Sequence, residues 1–447
     1  MVNAMSQSAN VSTLVFRVTA ARAALGANIP AVVLEAPGKL ESTFCQDRNN
    51  DDETRAVYIS PSSTPLPPNF YLHGAPDVTG TGGDFSGAEK ALVELTAQLT
   101  GTPYEALALT ALSGGNANFI FHAVLKNPLP DGTREVVVKH GEGFVAANPN
   151  FKISIDRCEI EVGALQAVNA FAPVQAGSWT VRAPKTIFFD PALNNHVQEC
   201  KPAAKSLKEY ALRHFATSSP ALEVSSVSLG TSLGTWLRAF HAWANDPTRA
   251  DLRQLAARNQ QLQGIKQYIN YGSLVSRIDS FPAILSDSRA LFEQVAQATA
   301  DEIVDPDRLS VIHGDFWTGK LRRPSLPKEV FVVDWEMFQL GVFAADIGQM
   351  ITELYELKLY KDIDAGLWII QGLCAGYGVL DKDVAFRALV TVGAHLLCFG
   401  TTVAGWGTPD MVEQVAREGR DILTAAWAKD EAFFENHPLG CVLSGAS

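Results

Sequence analysis

His313-Gly314-Asp315 stands behind the apolar lead Ser310-Val311-Ile312, and Asp334-Trp335-Glu336 closes the apolar run Val330-Phe331-Val332-Val333, 19 positions beyond Asp315. Paired carboxylate sites of this kind suit phosphoryl transfer. One carboxylate orients an attacking hydroxyl and accepts its proton, while the other holds a divalent metal against the phosphates. Asp315 has the setting for the first role and Asp334 for the second. Two loop-capping carboxylates are the plain alternative, and the strand-like leads before both motifs weigh against it.

Two earlier features serve the same chemistry. In Ser113-Gly114-Gly115-Asn116-Ala117-Asn118 the glycines let the backbone approach a phosphate, whose oxygens successive N–H groups can cradle. On its own such a segment is most often a turn between strands. Lys139 ends an alternating strand and Glu161 lies on the helix that follows. A lysine fixed by a glutamate can hold α/β-phosphates at a set distance. Either residue alone reads as solvated surface; their order after a Gly-rich turn links them.

These residues need elements to position them. REVVVKH (134–140) reads as a strand behind the turn Pro130-Asp131-Gly132, and RCEIEVGALQAVNAF (157–171) as a helix. TIFFD and NNHVQE read as strands around Pro191, which gives a small sheet with one helix over about 110–200. GAEKALVELTAQLTG reads as a preceding helix with a Gly stop. Beyond about 202 the pattern is helical: SLKEYALRHF, SLGTSLGTWLRAFHAWA, DLRQLAARNQQLQGIKQYI, RALFEQVAQATADEI and four closing helices. Only 310–336 interrupts with short strands. The expected organisation is an N-terminal extension over 1–75, polar and then Pro/Ser-rich, a nucleotide-binding lobe over 76–200, and a helical lobe over 201–447 with the catalytic loop and the acceptor site. A cleft between two lobes is a usual place for a ligand.

Composition narrows the function. The chain has 447 residues and a net charge of −12, which disfavours nucleic acid as a partner. Its six cysteines are dispersed, with no CxxC pair, which argues against zinc and a disulfide framework and for a reducing compartment. Cys158 and Cys200 read as small buried hydrophobes, with a reactive thiol as the alternative. No apolar run reaches about 18 residues; Thr391–Trp406, which carries His395, reads as a buried helix, so no membrane span is expected. Residues 1–34 contain no acid and include Arg17 and Arg22 within FRVTAARAAL, open to two readings. A loose extension of a cytoplasmic protein is one, and a mitochondrial transit peptide is the other.

In this order the motifs resemble the aminoglycoside phosphotransferase and choline kinase family, over about residues 110–430. HGDFWTG, DWE and Asp346-Ile347-Gly348 look particularly like small-molecule kinases such as the methylthioribose and fructosamine kinases and fungal relatives. SLGTWLRAFH (232–241) is similar to the helix that precedes the catalytic region there. The resemblance implies an α+β, protein-kinase-like two-lobed fold with a small antiparallel sheet lobe and a large helical lobe. It implies ATP and Mg²⁺ as cofactors and a small-molecule hydroxyl as acceptor. Ser113, Gly114, Gly115, Asn116 and Asn118 would then form the nucleotide loop, and Lys139 and Glu161 the phosphate-positioning pair. Gln198, Glu199 and Cys200 would be the hinge that meets adenine through backbone groups. His313 would brace the loop, Asp315 would be the base, Asp334 would hold the metal with help from Glu336, and Asp346 would support the loop.

Lys320 departs from that pattern, which has an asparagine five residues after the catalytic aspartate. An ammonium has no acceptor atom for Mg²⁺, and against a divalent ion at about 4 Å and an effective dielectric near 20 it opposes binding by about 8 kcal/mol. Leu321-Arg322-Arg323-Pro324, where the family continues with an apolar strand, reads as a poor one. Three readings follow: Lys320 contacts the β/γ-phosphates in place of one metal; transfer is lost and a nucleotide- or metabolite-binding pseudokinase remains; or the local sequence is in error.

Overall fold

Helix α1 (Gly87–Leu99) buries Ala91, Leu95 and Leu99, a four-residue repeat that puts one apolar face on the sheet beneath it. That sheet comprises β1 (Ala106–Ala111), β2 (Phe119–Leu125), β3 (Glu135–His140), β8 (Thr186–Asp190) and β9 (Asn195–Glu199), in the order β1-β2-β3-β9-β8, and is antiparallel throughout. Along β2 the alternate residues Phe119, Phe121, Ala123 and Leu125 are buried against α1, the two-residue period expected of a half-buried strand. A small hairpin, β4 (Phe144–Val145) with β5 (Asn148–Lys152), leads into α2 (Asp156–Val168). In this computed structural model the described residues are 87–447 except 113–116, 203, 324–327, 404 and 445–447; for Lys320, Arg322 and Arg323 the backbone alone is described. The N-terminal extension and Ser113, Gly114, Gly115 and Asn116 lie outside them.

A second sheet is not expected from the sequence. Its strands are β6 (Val174–Ala176), β7 (Trp179–Arg182), β10 (Lys205–Ser206), β12 (Leu321–Arg323) and β13 (Glu329–Val332), in the order β10-β12-β13-β7-β6. The β13–β7 pair is parallel, so strands from both sides of position 200 share one sheet. The reading of Leu321-Arg322-Arg323 as a poor strand is corrected here. Leu321 is fully buried, and the segment pairs with β13 on one side and β10 on the other, a context that outweighs the weak strand preference of arginine. The alanine-rich ALALTA of β1 has no distinctive strand pattern in the sequence and is strand because it pairs along β2.

The helical part comprises α3 (Leu207–His214), α4 (Pro220–Ala244), α5 (Ala250–Ala257), α6 (Gln260–Gln267), α7 (Leu274–Ser280), α8 (Pro282–Leu285) and α9 (Arg289–Glu302). After β11 (Ser310–Ile312) and β14 (Gln339–Gly341) come α10 (Phe343–Lys361), α11 (Ala365–Tyr377), α12 (Lys382–His395), α13 (Pro409–Trp427) and the short α14 (Glu431–Glu435), one more closing helix than expected. The single helix expected over 251–269 is broken between α5 and α6. Asn259 sits at the break, and its side-chain N–H groups donate to Glu336 O (2.8 Å) and Phe338 O (2.9 Å), anchoring the DWE segment. The apolar stretch Lys382–Gly400 is long enough to cross a membrane, but 78% of it is buried inside the protein.

Helices α4 and α11 approach closely because each carries two glycines one turn apart. A Cβ on Gly230 would lie 2.0 Å from Ile369 O, and one on Gly372 would lie 2.2 Å from Val227 O. No side chain fits there, so the backbones touch, and the contact fixes where α4 delivers His241. Gly234→Ala, whose Cβ would meet Leu373 O at 2.1 Å, should destabilise the fold by at least about 2 kcal/mol, read as a lowered thermal midpoint. Gly264→Ala in α6, where a Cβ meets nothing within 4 Å, should instead be neutral or stabilising.

Candidate active site

The short ladder of β11 with β14 launches His313-Gly314-Asp315. Gly314 has φ +80°, and a Cβ there would lie 2.1 Å from Met337 O, so only glycine permits this turn. Asp346, fully buried in the first turn of α10, accepts the backbone N–H of His313 (2.9 Å, Oδ2) and of Gly314 (2.9 Å, Oδ1). Its Oδ2 also meets His241 Nε2 at 3.1 Å, and His241 Nδ1 meets the Tyr377 hydroxyl at 2.9 Å. One carboxylate thus ties the loop to α4 and α11. The N-cap of α10 is Val342. His313 is buried against Trp335 (ring centroids 4.5 Å), and its Nδ1 accepts the Asp315 N–H at 3.2 Å. The ring holds the turn and does not face out.

Asp315 is thereby held with a partly exposed side chain. Its Oδ1 accepts from Lys266 Nζ (2.6 Å) on α6 and from Gln349 Nε2 (2.8 Å) on α10, and its Oδ2 from Trp317 Nε1 (3.1 Å). Donors from three elements fix the orientation of this carboxylate. Lys266 and Gln349 were not read from the sequence, because a lone polar residue on a helix looks like solvated surface.

The second cluster gathers residues from three further elements. Lys139 Nζ, at the end of β3, donates to both oxygens of Glu161 on α2 (2.6 and 2.8 Å) and to Asp334 Oδ1 (2.5 Å). Burial opposes the lysine charge, but the carboxylates of Asp334, Glu161 and Glu336 outweigh it and push its pKa well above the ordinary range. Asp334 takes up φ 69°, ψ 69°, a left-handed conformation uncommon outside glycine and asparagine, so the surrounding contacts over-determine it. The next residue's N–H, from Trp335, reaches Glu161 Oε1 at 3.3 Å.

Glu336 lies behind this cluster. Its Oε2 accepts from Asn118 Nδ2 (2.7 Å) and lies 3.6 Å from Arg157 Nε. Arg157, fully buried, also donates to Ala117 O (3.0 Å), Asn118 Oδ1 (2.8 Å), Glu142 O and Ser154 O, so it anchors the described end of the Gly-rich loop. Its signal in the sequence is its place four residues before Glu161, on the same helix face. Burial and the neighbouring Asp334 push the Glu336 carboxyl up to about 7. With Glu336 ionised, the three carboxylates Glu161, Asp334 and Glu336 exceed the two cations Lys139 and Arg157 by one charge. That surplus is the donor chemistry a hard divalent cation satisfies.

The remaining predicted residues are placed as follows. Gln198 and Glu199 lie on β9, where Glu199 N–H donates to Lys185 O (2.8 Å). The Glu199 carboxylate is held by both terminal nitrogens of Arg182 (2.8 and 2.8 Å), and Gln198 Nε2 meets His196 Nδ1 (2.9 Å). Of the three, only Cys200 lies beyond the sheet. Cys158 is buried and Cys200, expected to be buried, is half-buried; burial pushes both thiols up to about 12, which disfavours the thiolate that a reactive cysteine needs. Lys320 ends the tight turn Thr318–Lys320 just before β12.

Comparison with known proteins gives a consistent set of matches. A family model described as the phosphotransferase enzyme family matches residues 127–380. The phosphotransferase FrzJ of a Cladobotryum species is 28% identical over 355 residues, covering 74% of this chain and 91% of that one. A 4-hydroxytryptamine kinase of Psilocybe cubensis is 22% identical over 309 residues, covering 67% and 82%. Among solved structures, a choline/ethanolamine kinase family protein of Mesorhizobium loti is 15% identical with a TM-score of 0.37, covering 80% of this chain and 98% of that one.

Glu336 gives a pH test of this geometry. Its raised pKa means that the folded state favours the protonated form. The resulting stability is fully present below the ordinary carboxylate range and is lost as pH rises through about 7. Without metal, Glu336→Gln should melt like the natural protein near pH 4.5 and be more stable at pH 8 by on the order of 3 kcal/mol. Thermal melts across that range check it, and a constant gap would mean that Glu336 titrates normally.

Proposed function

The chain belongs to the phosphotransferase enzyme family, and we propose that it transfers the γ-phosphoryl group of ATP to a hydroxyl of a small molecule. The observation that carries this reading is the buried Lys139, shared by Glu161 and Asp334 from two other elements. A lysine so held presents a fixed positive charge to α/β-phosphates. The loop ending at Asn118 cradles phosphate oxygens, and the exit of β9 at Cys200 meets the base. Asp334, with Glu336 beside it, would hold Mg²⁺, which when bound neutralises phosphate charge.

Asp315 orients the acceptor hydroxyl. As the bond from the acceptor oxygen to the γ-phosphorus forms and the bond to the β,γ-bridging oxygen breaks, the hydroxyl proton passes to the Asp315 carboxylate and ADP leaves. Lys266, Gln349 and Trp317 keep that carboxylate aimed, and Asp346 keeps its loop in place. Lys320 favours a second reading, a non-catalytic nucleotide-binding protein on the same scaffold, since a lysine holds the sequence position where the family pattern has a metal-binding amide.

ADP release measured across a panel of hydroxylated metabolites separates the two readings. On the first, an acceptor is found, and Asp315→Asn lowers turnover by roughly 10²- to 10⁴-fold without weakening ATP binding. Full activity in that variant would contradict the base assignment. On the second reading, ADP release appears only when Lys320→Asn restores the amide.

A further inference from the structure

Two of the six cysteines meet in the fold, away from the nucleotide cluster and the catalytic turn. Cys374 lies in the last turn of α11, and Cys441 lies in the single turn Gly440–Val442 that follows α14. Their sulfurs are 3.8 Å apart and both residues are half-buried. A disulfide needs about 2 Å between the sulfurs, a closure within the reach of small side-chain rotations. The sequence hides the pair, because its members stand 67 positions apart and share no CxxC spacing.

Both cysteines line a cavity of about 330 Å³, whose wall also includes Ile347, Tyr377, Val379 and Ser444. Val379 is 64% exposed, so the cavity opens to solvent. The Tyr377 hydroxyl on this wall meets His241, and Ile347 follows Asp346 on α10. The two thiols differ. The Cys374 thiol beside it holds Cys441 below the ordinary thiol range, while the same contact and burial push Cys374 well above it. The carboxyl end of α11 also disfavours a negative charge on Cys374. Burial pushes Cys158 and Cys200 up to about 12 and Cys398 up to about 11, so these three compete poorly for an oxidant.

We propose that Cys374 and Cys441 are a reversible oxidation site for hydrogen peroxide, with Cys441 the attacking sulfur and Cys374 the resolving one. The Cys441 thiolate attacks one peroxide oxygen and the O–O bond breaks. The displaced oxygen takes up the proton that Cys441 gave up and leaves as water, and Cys441 becomes a sulfenic acid. The Cys374 sulfur then attacks the Cys441 sulfur, the S–O bond breaks, and hydroxide leaves with the Cys374 proton as a second water. Two thiols together lose two electrons, and one peroxide is reduced to two waters. The new bond ties the Gly440–Val442 turn to α11 beside Tyr377. A thiol reductant reverses it, so the pair stays reduced in a reducing compartment and closes when peroxide rises. The inference is independent of the phosphotransfer reading.

The test treats the reduced full chain with a modest excess of hydrogen peroxide, blocks remaining thiols with N-ethylmaleimide, and maps the unreduced digest by mass spectrometry. One linkage should appear, Cys374 to Cys441, with a mass loss of about 2 Da, and dithiothreitol should remove it. Thiols titrated in denaturant should fall from six to four. The oxidised chain should melt about 5 °C higher than the reduced one, because the bond closes a long loop. In Cys374→Ser the intermediate has no resolving partner, so dimedone should label Cys441. In Cys441→Ser the same dose should leave Cys374 unlabelled. Both thiols still open to the maleimide after peroxide, a linkage through other cysteines, or a midpoint that falls on oxidation would overturn the proposal. Dimedone on Cys374 in place of Cys441 would overturn the assigned order of attack. If either variant fails to fold, the linkage map and the melt of the natural chain decide the matter.

Discussion

A buried ammonium is stable only where carboxylates surround it, and Lys139 has that setting. Removing one partner from such a group typically costs 3–5 kcal/mol, because a charge is left without compensation. Lys139 therefore constrains three distant segments at once: the end of β3, the middle of α2, and the turn at Asp334. The left-handed backbone of Asp334 is held within that constraint. Glu336 two residues on bonds Asn118 and faces Arg157, so Asn118, α2 and the DWE turn form one network. The arrangement concentrates negative charge at one face of the site, which poises it for cations and the phosphates they accompany.

A second buried carboxylate does comparable work on the helical side. Asp346 satisfies the backbone N–H groups of His313 and Gly314 and a histidine from α4, and that helix is positioned by glycine contacts with α11. The α4–α11 contact is thus linked to the Asp315 loop through His241 and Asp346, although neither helix carries Asp315. Asp315 itself is gripped by α6, α10 and its own loop. Rigid positioning by several elements is what a transfer reaction with little covalent chemistry of its own demands.

Much of this was legible in the sequence where the signal is local. The alternation of REVVVKH gave β3, the helical period gave α2 and α4, and the two carboxylate motifs behind apolar leads gave the residues that the structure places at the ends of β11 and β13. The antiparallel sheet and the largely helical remainder agree with the expected fold class. The second sheet escaped because its strands are two to four residues long and pair across large separations, so no window holds a period. Lys266 and Gln349 escaped because their partners are on other elements, and a polar residue on a helix carries no mark of burial. Arg157 and the paired glycines of α4 and α11 did carry marks, in their spacing of four.

The central claim is that the Lys139 cluster is a working nucleotide site. A calorimetric titration of ATP into the full chain, with and without Mg²⁺, tests it most directly. The account predicts saturable binding that strengthens with Mg²⁺ and is lost in Lys139→Met. Absence of ATP binding under both conditions, in protein shown to be folded, would contradict it.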